Sequence, residues 1–216
     1  MQKNILNQKY ICKYNPKSKK YGLLIHSWVI IILVLTPISA NGMMFRPEYF
    51  GVDLWGGIES NIHPDWDTSA ADHSWIGLMF KWGKYFSDPR YRIDFLPQIG
   101  LHHAEKDKIG KEFSKYGFSI GTDIWLLRDF QIPHTRSTFY VGTGLGLYTM
   151  LPSGDQAALG NSGLLGMFGG NLGFKFPLKS NYFLTLEGRV NHFSDILQSD
   201  SGRNHHGIVI GITRMF

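Results

Sequence analysis

Cysteine is almost missing from this sequence: its 216 residues contain one, Cys12, so no intramolecular disulfide can form. Acidic residues are missing from positions 1–20, where Lys3, Lys9, Lys13, Lys17, Lys19 and Lys20 all fall. An apolar run over 23–35 follows, and Ser39 and Ala40 then offer small residues for cleavage, with Ile38 at the minus-three position. A basic stretch, a short apolar stretch and a small-residue site are the three parts of a secretory signal peptide, assigned here to residues 1–40. A retained membrane anchor is the competing reading, but the run is short for a full span and contains His26. Cys12 lies inside the leader and away from the cleavage site, which also excludes a lipoprotein cysteine.

Without the leader the chain has no basic excess. It has 22 Lys and Arg against 17 Asp and Glu, and six of the Lys lie in the leader, so 16 basic residues remain against 17 acidic ones. Nearly neutral, residues 41–216 give no electrostatic basis for binding nucleic acid. They also lack any stretch near the ~20 apolar residues of a spanning helix. Membrane crossing therefore falls to strands.

What the sequence does contain is alternation, in eight segments: 49–58, 75–86, 91–102, 116–127, 139–148, 164–176, 182–194 and 206–216. In the second, Ile76, Leu78, Phe80, Trp82 and Phe86 share one side, and Gly77, Lys81 and Gly83 the other. In the last, Ile208, Ile210, Ile212 and Phe216 share a face. Strands of about ten residues, apolar on one side and polar or glycine on the other, predict an all-β fold, an eight-stranded antiparallel transmembrane β-barrel over 41–216. So narrow a lumen is filled by side chains, and Asp53, Lys81, Arg92, Asp94, Asp123, Glu187 and Arg189 have the mixed signs needed to pair inside it. Gly142, Gly144 and Gly146 are expected to make room there, and Trp55, Trp75, Trp82 and Trp125 to join interfacial girdles. A soluble lipocalin-like or sandwich fold is the alternative. The C-terminal aromatic Phe216 weighs against it, since it resembles the assembly signal of bacterial outer-membrane barrels.

Segment 182–194 carries the candidate chemistry. Its apolar face, Tyr182, Leu184, Leu186, Gly188 and Val190, ends in His192 and Ser194, which project from the same side of a strand. With an even strand count the seventh strand runs outward, which places both at the level of the outer leaflet. There an imidazole could take the proton of a hydroxyl and make it a nucleophile towards an ester. Interface residues that merely bond to headgroups are the plainer reading of the same pair.

The run NHFSD over 191–195, followed by a short loop with Asn204 and Gly207 and a last strand ending in Phe, resembles the lipid A 3-O-deacylase (PagL-type) family of outer-membrane barrels. That resemblance implies His192 as general base and Ser194 as nucleophile on an acyl ester of lipid A, with no cofactor. The family has Asn after the serine, where this chain has Asp195. It has an acid about twelve positions after the serine, where this chain has His206. The expected third member is thus His206, with Asp195 or Asp200 as oxyanion neighbour or alternative acid. No metal site is expected: His63, His73, His102, His103, His205 and His206 show no ligand spacing and read as loop histidines in solvent. The implied location is the bacterial outer membrane and the implied partner lipopolysaccharide, with no nucleic acid and with a homodimer left open. The competing functions are a non-catalytic structural or adhesive barrel and, disfavoured by a filled lumen, a transporter of hydrophobic molecules.

Overall fold

The computed structural model describes residues 46–59, 73–106, 112–152, 163–196 and 202–216. They form eight strands: β1 (Tyr49–Glu59), β2 (His73–Tyr85), β3 (Tyr91–Lys106), β4 (Glu112–Gln131), β5 (Thr138–Leu151), β6 (Leu164–Pro177), β7 (Tyr182–Asp195) and β8 (Arg203–Met215). Each pairs antiparallel with the next, and β8 returns to pair with β1, closing the barrel. The leader and Asp200 lie outside the described residues.

Closure follows from the two-sided alternation. The outward side chains are apolar, with Leu101, Leu145, Phe168 and Ile208 each 60–65% exposed. A contiguous apolar band of this kind is stable only against hydrocarbon, and in hydrocarbon every backbone N–H and C=O must be paired. A closed barrel meets both demands. Connections 86–90, 132–137 and 178–181 share one end with both ends of the barrel chain and are short, whereas the two longest connections, 60–72 and 152–163, lie at the other end together with the short 107–111. Short turns mark the periplasmic end of such barrels, so the ends of β7 and β8 joined by 196–202 face the cell exterior.

The lumen is packed. Asp53, Lys81, Arg92, Asp94, Asp123, Glu187 and Arg189 are all buried in it, as the alternation requires. Lys81 pairs with Asp53 at 2.6 Å, Arg92 bridges Asp94 and Asp129, and Lys175 holds Asp129 at 2.7 Å. Glycine provides the room: a Cβ on Gly144 would overlap the Trp125 ring, and one on Gly146 would overlap the Asp123 carboxylate. Trp125 shows that the girdle expectation was too broad. Trp55, Trp75 and Trp125 are 1%, 5% and 0% exposed and form part of the internal core, because they share the parity of Asp53, Lys81 and Asp123. Trp82 alone of the four has the opposite parity, packing against Phe50 on the outer surface at 5.9 Å.

The lipid-facing assignment has a depth signature. Leu145→Arg, at the middle of β5, is expected to cost about 2–4 kcal/mol, and Tyr182→Arg, at the periplasmic rim, about 0–1. Urea unfolding in phospholipid vesicles measures both. Equal costs at the two depths would place Leu145 outside the hydrocarbon.

Candidate functional site

The candidate dyad stands on the outer face where β7 and β8 meet. Their register sets His192 opposite Asn204. His192 Nδ1 lies 2.9 Å from Asn204 Oδ1. An amide oxygen only accepts, so Nδ1 carries the proton and Nε2 keeps the lone pair that a general base needs. Nε2 faces Gly202, whose φ of 70° is left-handed and whose added Cβ would overlap the imidazole. Glycine is required there on both counts.

Ser194 follows two residues on, half-buried and on the same outward face, opposite Gly166 of β6. A Cβ on Gly166 would come 3.9 Å from the Ser194 hydroxyl and 3.3 Å from Ile196, so its absence leaves a notch beside the hydroxyl. No hydrogen bond joins the Ser194 hydroxyl to His192 in this structure. Val190 and Ile208, both strongly exposed, continue the strip into the apolar belt. Polar groups thus border hydrocarbon at the outer rim.

No protein-family model matches this chain, and no curated protein matches it. Among solved structures it is similar to Neisserial surface protein A (NspA), at 14% identity and a TM-score of 0.53, covering 78% of this chain and 96% of that one. It also matches the outer membrane enzyme PagL, at 12% identity and a TM-score of 0.48 over 76% and 99% of the two chains. A third match is the outer membrane protein OprG from Pseudomonas aeruginosa, at 11% and 0.47 over 79% and 97%. At such identities the likeness is one of fold. This chain has the fold of a transmembrane β-barrel.

The barrel distributes the remaining expected site residues differently from the sequence reading. His206 faces outward on β8, but its register partners are Val190 and Ile58; it is Asn204 that reaches His192. Asp195 is 6% exposed and points inward, across the strand from Ser194, so its carboxylate is not beside the hydroxyl. The backbone N–H of Ile196, two residues after Ser194, donates to the Leu164 carbonyl at 3.2 Å and is not free to hold an oxyanion. Asp200 lies outside the described residues.

Three histidines read as solvent-exposed loop residues are instead buried strand residues. His73, His102 and His205 are 3%, 4% and 1% exposed inside the outer end of the lumen and are hydrogen-bonded to one another. The signal was present in the parity that turns Ile208, Ile210 and Ile212 outward, since it turns His205 inward. His73 uses opposite ring nitrogens towards its two neighbours, so the three do not converge on one point. Among the described residues no group of three or more His, Cys, Asp or Glu is arranged to hold a metal ion.

Proposed function

We propose that the barrel is an outer-membrane esterase that hydrolyses an ester-linked acyl chain of lipid A in lipopolysaccharide, the 3-O chain by resemblance to the PagL-type family. The observation that carries this reading is the bond from His192 Nδ1 to Asn204 Oδ1, which fixes the tautomer with a basic Nε2 on the face that carries Ser194. An amide in the third position is a known variant of the nucleophile, histidine and orienting-group arrangement.

In the reaction, Ser194 Oγ attacks the acyl carbonyl carbon while His192 Nε2 takes its proton. The sugar oxygen leaves with that proton, and an acyl-serine remains. Water, deprotonated by the same nitrogen, then attacks the acyl carbonyl, releasing the fatty acid and restoring Ser194. The proton-transfer contact between Ser194 and Nε2 forms in the substrate complex, since catalytic hydrogen bonds are often loose in free enzymes. Asp195 faces the lumen, so its charge does not oppose the developing oxyanion at Ser194.

The missing Ser194 to His192 bond favours a second reading, a non-catalytic barrel in which these side chains bond to headgroups. Mass spectrometry of lipid A from cells expressing the chain separates the two. The esterase removes one hydroxyacyl group, and Ser194→Ala leaves lipid A intact. Unchanged lipid A with folded wild-type barrel, or a loss that survives in the Ala variant, would assign the site to headgroup contact.

A further inference from the structure

The outer end of the lumen holds an unbroken chain of hydrogen bonds. Ser119 Oγ lies 2.7 Å from His102 Nε2, His102 Nδ1 lies 3.1 Å from His73 Nε2, and His73 Nδ1 lies 2.8 Å from His205 Nε2. The chain ties β4, β3 and β2 to β8, passing over β1. Neutral imidazoles, each donating from one nitrogen and accepting at the other, satisfy every link head to tail. Aromatic walls seal the chain: Trp75 stacks on His102 at 5.3 Å, and Phe193 meets His205 edge-on at 5.2 Å.

We propose that this chain is a proton-operated latch across the outer mouth of the barrel, closed while its imidazoles are neutral and parted when acid adds more than one proton. One extra proton can be shared along the links. A second places two cations at contact distance where little water screens them, and sets a donor against a donor. The charged and titratable groups at this end are the buried Asp195 of β7 and the Glu59–Arg203 pair of β1 and β8, with His103 of β3 and His192 of β7 close enough to act on the imidazoles from the outer face. Arg203 adds like charge, and Glu59 already holds it at 3.3 Å. Relief comes from loosening the outer ends of β2 and β8 from β1, which pairs with both up to Ile58, and this lets water reach Trp75.

The neutral chain takes up fewer protons than unfolded histidines do, so the closed state loses stability as pH falls. The full chain in detergent micelles, labelled with 15N-histidine, tests this between about pH 7.5 and about pH 4.5, a range spanning the ordinary histidine titration. The three buried imidazoles are expected to stay neutral and then gain protons together, with a red shift in tryptophan emission at the same pH. His73→Phe keeps the ring volume, removes both links at the centre and should abolish the emission shift. An emission shift unchanged in His73→Phe overturns the latch. So does independent titration of the three wild-type imidazoles at the ordinary value of about 6.5, a readout that stands even if the variant fails to fold.

Discussion

Alanine at Ser194 or at His192 is expected to slow ester hydrolysis by about 10³-fold or more, and alanine at both positions by no more than either change alone. The reason is that neither group acts without the other: a serine with no base is a weak nucleophile, and a base with no hydroxyl beside it has no proton to take. Two independent headgroup contacts would give additive losses of binding instead, seen in KM. Purified barrel with an ester lipid substrate supplies both parameters. Asn204 then reports on orientation. Asn204→Leu keeps the volume but frees Nδ1, and is expected to lower kcat about 10-fold to 100-fold at steady KM, within the range general base catalysis contributes. Asn204→Asp sets a carboxylate against the same nitrogen, stabilises the imidazolium better than an amide does, and should restore or raise kcat. If Leu, Asp and wild type behave alike, the bond at 2.9 Å is a packing contact.

These variants test a residue whose place the sequence pattern did not reveal. All eight strands were legible, because alternation is imposed by hydrocarbon on one side and a packed lumen on the other, and that constraint runs the length of the membrane. It fades beyond the membrane. The last strand was read from 206, where the isoleucine alternation begins, yet β8 starts at Arg203 and carries Asn204 and His205 in register with β7. Residues 203–206 are polar throughout, so hydropathy gives no warning that they are paired. The expectation for the third member, His206, came from counting along the chain from the family pattern. The partner of His192 is set by cross-strand register instead, which depends on how β7 and β8 align.

The tryptophans and histidines were misjudged for a related reason. Composition places Trp and Tyr in girdles on average, but an individual side chain follows parity, and parity puts Trp55 in the same row as Asp53. Applied strictly, that rule would also have placed His102 with Gln98 and His205 with Val209, all inside the barrel. Their hydrogen bonds to His73 could not have been read in this way. The bond to His102 joins the paired strands β2 and β3, whereas the bond to His205 reaches over β1 to β8 and depends on the closure of the barrel.

Removing the Arg189 guanidinium is expected to cost about 3–5 kcal/mol of barrel stability, because it leaves buried carboxylates without a counter-charge. Arg189 Nε donates to Glu187, its Nη1 lies 3.7 Å from Asp123, and its guanidinium carbon stands 4.7 Å over the Trp125 ring. All three of these partners are buried, so water cannot enter to hydrate what the arginine leaves behind. Arg189→Met conserves the stem volume and isolates the charge effect, and urea unfolding in vesicles measures it. The decisive comparison adds Glu187→Gln and Asp123→Asn to the same chain. With no charge left to strand, the triple variant should recover most of the loss, since a buried ion cluster and a neutral packed equivalent differ little in stability. A loss that persists in the triple variant would mean that packing against Trp125 and Met79, not charge, is what Arg189 contributes. Arg90 provides the control: it pairs with Asp88 in the exposed 86–90 turn, with its side chain 65% accessible, and Arg90→Ala should leave stability unchanged. The contrast follows from where each arginine sits, since the same ion pair is worth little in water and cannot lose one partner in the lumen.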